Sequence, residues 1–175
     1  MRLIALFGVS VSLIGGLKPA HADDPCAAFT WDVRHERTLF TQAPQAVVAE
    51  QALAVSPTLA TDQLYQLKLR RQSEVSFATP PGRKPDDGTY AGLARLTVDT
   101  TGVYRVALDQ PLWVDVLANG FLVRAKDFQG RPGCNAPHKI VEFLLPARTP
   151  ITLQFSGGST PTVEVTVTRS PEKGV

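Results

Sequence analysis

Outside its first 22 residues the chain offers few side chains for chemistry, and the imidazoles are the scarcest. His35 and His138 are the two histidines beyond that segment, and a neutral imidazole can ligate a metal or move a proton near pH 7. Asp32 and Glu36 flank His35, and Asp127 precedes His138. Two imidazoles with one carboxylate make an open facial site for non-haem iron, so His35, His138 and Asp32 form the candidate metal set. They can meet only if the fold joins their neighbourhoods, and a disulfide between Cys26 and Cys134 would do so. The competing assignment places His35 on the wet side of a short helix and His138 on a loop, with no cofactor; it is the one adopted, with iron as the alternative.

Nucleophilic chemistry has less to stand on. No G-x-S-x-G elbow is present, and Ser156-Gly157-Gly158-Ser159 has the composition of a turn. Asp86-Asp87-Gly88 lacks the alternating oxygen ligands of a calcium loop. A binding surface demands less. Trp113, Asp115 and Leu117 project opposite to Leu112, Val114 and Val116, so an indole with a polar neighbour could form a sugar-stacking platform, unless a loop or the N-terminal helix covers it. Tyr90 has similar status. Lys126 and Asp127 open the stretch 126–138, the densest group of polar, Gly and Pro residues near the cysteines, which is the preferred site region. The candidate ligand-binding residues are therefore Trp113, Asp115, Tyr90, Lys126 and Asp127.

These residues need elements to position them, and most of those elements have a period of two. Tyr65, Leu67 and Leu69 alternate with Gln66 and Lys68; Ala94, Leu96 and Val98 with Arg95 and Thr97; Tyr104, Val106 and Leu108 with Arg105 and Ala107. Ile151, Leu153 and Phe155 alternate with Thr152 and Gln154, and Val163, Val165 and Val167 with Thr162, Glu164, Thr166 and Thr168. Each pattern predicts a strand with one buried and one wet face. Segments 112–117 and 139–145 are apolar on both sides and belong in central or covered positions. Segments 46–50, 75–78 and 121–125 are weaker strand candidates. One short helix is expected over 33–40, capped by Asp32 and stopped before Pro44. Turns are expected at Thr101-Gly102, Asp109-Gln110-Pro111, Asn119-Gly120 and Gly157-Gly158, with Asn119-Gly120 the strongest hairpin signal. The loop 79–89, rich in Pro, Gly and charge, is expected to be mobile. The sum is an all-β, jelly-roll-like sandwich over 46–169, behind an arm over 23–45 and before a frayed tail over 170–175.

Residues 1–22 carry an early Arg2, the apolar run Leu3 to Leu17 and Ala20-His21-Ala22, which predicts a cleaved signal peptide and leaves no stable membrane span. Its removal takes Arg2 and Lys18, leaving 16 basic against 16 acidic residues, so no basic stripe argues for nucleic acid. Two cysteines in an exported chain are most simply a disulfide, and the expected location is periplasmic or secreted.

Two resemblances bear on function. Gly102-Val-Tyr104-Arg-Val106, Trp113-Val-Asp115-Val and the closing pair 151–155 and 162–168 resemble the bacterial pre-peptidase C-terminal sandwich type. That resemblance implies a non-catalytic accessory module akin to carbohydrate-binding jelly rolls. The motifs C-x-x-F-x-W-D near Cys26, Y-A-G-L-A near Tyr90 and G-C-x-A-P-H-K-I-V-E-F near Cys134 are similar to a group of short exported bacterial proteins. Some members carry the name homogentisate 1,2-dioxygenase, which would imply a histidine-rich iron site that two histidines do not match. The expectation carried forward is a non-catalytic binding or accessory sandwich whose partner is a small molecule, a glycan or an envelope protein. An iron-dependent ring-cleaving dioxygenase and an envelope structural protein are the competing classes.

Overall fold

The computed structural model describes residues 24–171. The signal-peptide assignment and most of the tail fall outside the described residues. Helix α1 (Arg34–Leu39) is followed by β1 (Gln45–Val48), β2 (Thr58–Leu59), β3 (Tyr65–Lys68), β4 (Arg70–Arg71), β5 (Tyr90–Leu96) and β6 (Gly102–Leu108). Then come β7 (Trp113–Ala118), β8 (Phe121–Val123), β9 (Ala125–Gly130), β10 (Lys139–Leu145), β11 (Ile151–Gly158) and β12 (Thr162–Arg169).

These strands form two sheets, ordered β1-β3-β12-β6-β10-β9 and β2-β5-β11-β7-β8, with β4 also on β5. Leu67, Val106, Phe143 and Val165 of the first sheet meet Leu96, Val116, Leu153 and Phe155 of the second in one buried core. The protein is thus an all-β sandwich with one short helix, as the alternation implied. β5 to β6, β6 to β7 and β11 to β12 each cross between sheets. Gly157-Gly158 is accordingly no hairpin turn; it ends β11, where the pairing with β5 shifts register after Phe155. Asn119-Gly120 does turn a two-residue hairpin, with φ of 49° and 81°, and pairs Ala118 with Phe121. Asp32 accepts the backbone N–H of Arg34, so it caps α1 from one position further out than a standard cap.

The expected two wet faces are only partly wet. Arg105, Thr166 and Thr168 on the first sheet, and Thr152, Gln154 and Ser156 on the second, are buried. Two coverings explain this. The arm over 24–42 lies on the first sheet, where Cys26 bonds Cys134 and Phe29, Val33, Ala107 and Ile140 form a second apolar cluster. Arg105 donates to Asp32 O and to the Glu36 and Glu142 carboxylates, with its guanidinium over the Trp31 ring. Glu36, 1% exposed, also accepts from Thr168.

The second sheet is covered by residues 72–89. The expected strand over 75–78 does not form, because the Gln154 amide takes the backbone N–H groups of Ala78 and Thr79 and donates to Thr79 O. The loop 79–89 is bonded to this sheet at its start, through Thr79 and through the Gly82 N–H on Asp115, and just ahead of it Gln72 accepts the Gly157 N–H. The tail holds on further than its composition implied, since Ser170 bonds Val103 O and Glu142.

Candidate functional site

The site begins with the cross-strand pairs on the covered face of the second sheet. β7 sets Trp113 opposite Ser156 and Asp115 opposite Gln154. Alternation sends Leu112 and Val114 into the core, so Trp113 and Asp115 must face outward, toward the 72–89 strap. Asp115 is buried, and its two oxygens are used: Oδ1 accepts from Trp113 Nε1 at 2.9 Å and Oδ2 from the Gly82 N–H at 2.9 Å. The indole is thereby fixed in orientation, with 37% of Trp113 still exposed. Gly82 is required by this approach, because a Cβ there would lie 2.9 Å from Asp115 Oδ1 and 3.2 Å from Trp113 Nε1.

Beside the indole lies a cavity of about 250 Å³, whose lining includes Arg83, Lys84, Asp86, Trp113, Ser156 and Gly157. Ser156 is 1% exposed, and its hydroxyl has no hydrogen-bond partner among the described residues. Lys139, at the start of β10, extends its ammonium over the Trp113 ring, 5.2 Å from the centroid, and donates to Leu112 O. Burial, and then the positive charge of Arg83, hold the Lys139 pKa below its ordinary value, while Asp115 acts in the opposite sense. The arrangement offers a fixed aromatic ring, positive charge and a free buried hydroxyl. Nothing in it pairs a nucleophile with a base.

Of the sequence-derived candidates, Trp113 and Asp115 are brought together. Tyr90 is not on their face: it pairs with Gly158, packs on the core side and carries Arg71 over its ring at 4.8 Å. Lys126 and Asp127 are exposed on β9, an edge strand, so the first part of the expected 126–138 loop is a strand. Asp127 accepts its neighbour Phe128 N–H. Arg83, Lys139 and Ser156 were not legible as site residues, since they come from the strap, the opposite sheet and a segment with turn composition.

A second cavity of about 420 Å³ lies along α1, lined by Asp32, Arg34, His35, Glu36, Thr38 and Arg169 with Pro171. Its Asp32 and His35 are paired, within the arm and to the segment before β3. Asp32 is gripped by Arg34 at 2.6 and 2.9 Å, which drives its carboxyl far below the usual range, and His35 Nε2 meets Asp62 Oδ1 at 2.7 Å. His138 belongs to the turn before β10, its N–H on Leu108 O and its carbonyl accepting from Arg131. The disulfide therefore joins arm and loop as expected but does not assemble His35, His138 and Asp32 into one cluster. Among the described residues no three His, Cys, Asp or Glu side chains gather as a metal-ligand set. No helix among them is long and apolar enough to cross a membrane. The chain matches no protein-family model and no curated protein.

Proposed function

We propose that this protein is an exported, non-catalytic binding module that takes a small molecule or glycan at the Trp113 cavity. The observation that carries the proposal is the indole itself. Trp113 remains 37% exposed while Asp115 fixes its angle, and an exposed ring held in one orientation beside a cavity is preorganised to receive a ligand face. Lining by an aromatic ring with a few placed polar groups is the usual make-up of a small-ligand site. Export is supported by the Cys26–Cys134 disulfide, a bond that persists in oxidising compartments, and by the composition of residues 1–22. The periplasm or the medium is the proposed location.

The test is a ligand-observed NMR screen of the oxidised protein lacking residues 1–22 against a library of monosaccharides, disaccharides and ring-bearing metabolites. Hits that vanish with Trp113→Ala, at unchanged melting temperature, support the reading. Hits indifferent to Trp113, or stoichiometric iron that is lost on replacing His138, would replace it with one of the competing classes.

A further inference from the structure

The charges around the Trp113 cavity narrow the class of ligand. Arg83 and Lys84 line it, and neither has an ion-pair partner among the described residues. Lys139 spends one N–H on Leu112 O and lies over the indole with its charge unneutralised by contact. One carboxylate, Asp86, lines the cavity against these cations, and the flanking Asp115 is spent, since Trp113 Nε1 and the Gly82 N–H occupy its two oxygens. Two cations, Arg83 and the largely buried Lys139, beside one ring are unfavourable in the empty site, and a bound anion would relieve them. Ser156 Oγ adds a second deficit that the same anion would fill, because a buried hydroxyl without an acceptor is costly. At about 250 Å³ the cavity is below the range that holds drug-sized ligands, so its occupant is about one ring in size.

We infer that the Trp113 cavity binds a single ring bearing a carboxylate, a uronic acid residue, with the indole against the ring, Arg83 and Lys139 facing the carboxylate and Ser156 donating its hydroxyl. This rests on the binding-module reading of the same cavity and adds the charge of the ligand. The polar face of a uronate satisfies the cations and the hydroxyl together, while its C–H face suits the aromatic ring. A neutral sugar would leave both cations as they are.

The experiment uses Trp31→Phe, which keeps a ring beneath Arg105 and leaves Trp113 as the one indole of a chain that has two. Its fluorescence is titrated with methyl β-glucuronide and methyl α-galacturonide, each against its neutral glycoside. The inference expects each acid to bind about tenfold more tightly than its neutral counterpart, as charge-assisted hydrogen bonds allow, with the advantage shrinking as salt rises. Lys139→Gln and Ser156→Ala should each weaken the acids and spare the neutral sugars, and Ser156→Ala should raise the melting temperature while it does so. Should Trp31→Phe fail to fold, the two indole N–H resonances of the wild-type protein report the same titrations. Equal or tighter binding of the neutral glycosides overturns the inference and leaves the binding-module reading standing. Acids that bind without regard to Lys139 and Ser156 overturn it as well. If neither acids nor neutral sugars bind, the uronate assignment falls, and the library screen decides separately whether the cavity binds anything.

Discussion

Replacing Cys26 and Cys134 together by serine should cost about 5 kcal/mol of stability, and the loss should appear first in the arm. The two cysteines are 108 residues apart, and closing a loop of that length removes about 16 cal/mol/K of chain entropy from the unfolded state, or about 4.8 kcal/mol at 25 °C. For a domain of this size that corresponds to a fall of about 10–20 °C in melting temperature. The arm has further ties. Arg105 reaches Asp32 O and Glu36, Arg131 donates to Ala28 O, and Phe29 and Val33 pack against Ala107 and Ile140. The double variant should therefore fold, with a weakened arm on an intact sandwich. Urea denaturation gives the magnitude, and amide exchange gives the location: protection should drop over residues 26–40 well before it drops in β6, β10 or β12. A loss under about 1 kcal/mol, or exchange that rises evenly through both sheets while the arm stays protected, would refute the claim that this bond fastens a separate covering element.

Arg105→Met leaves Glu36 and Glu142 without the cation they share, so urea denaturation should show a loss of about 3–5 kcal/mol; a loss under about 1 would contradict a buried ionic latch. Gly92→Ala places a Cβ 2.5 Å from that of Ala49 and 3.2 Å from Leu69 Cδ2, and overpacking there should cost about 1–3 kcal/mol, read from the same denaturation midpoints. A neutral effect would mean that β5 and the 49–50 segment are not in contact as described. Burial raises the Asp109 carboxyl to about 6 from its ordinary 3.8, against the opposing hydrogen bond from the Glu164 N–H and with a smaller push from the Glu164 charge. The folded state therefore holds this proton more tightly than the unfolded chain does. Its contribution is full below about pH 3.8 and is lost as pH rises through about 6, so Asp109→Asn should flatten that part of the stability profile. An unchanged slope between pH 4 and 6.5 would show that Asp109 does not carry it.

The inner faces of the strands were legible because alternation is a local property. Tyr65, Leu67 and Leu69, or Val163, Val165 and Val167, announce a buried side whatever lies across from them. The outer faces were not. Arg105 and Thr168 have the composition of a wet face, yet the arm covers them, and Gln154 is covered by the strap. No local pattern records which outer face a segment 70 or more residues away will cover. The site divides in the same way. Trp113 and Asp115 are two residues apart on one strand, so their shared face follows from the pleat. Arg83, Lys139 and Ser156 join them only through sheet order and register, which the sequence does not display. Tyr90 looked equivalent to Trp113 as an aromatic at a strand end, but the register shift after Phe155 and its inward face take it elsewhere. The cysteine pair suggested a shared neighbourhood for the histidines, but His35 pairs with Asp62 while the backbone of His138 bonds Leu108 and Arg131.

The central claim is that the functional site is the Trp113 cavity and not the one along α1. Backbone and indole amide shifts of the oxidised, isotope-labelled protein test it most directly, recorded while methyl β-glucuronide is added. Shifts should concentrate at the Trp113 indole, at Gly82 to Asp86 and at Ser156 and Gly157. Shifts centred instead on Asp32, His35 and Thr38 would contradict it, whereas the absence of any localised shift would remove the uronate assignment alone.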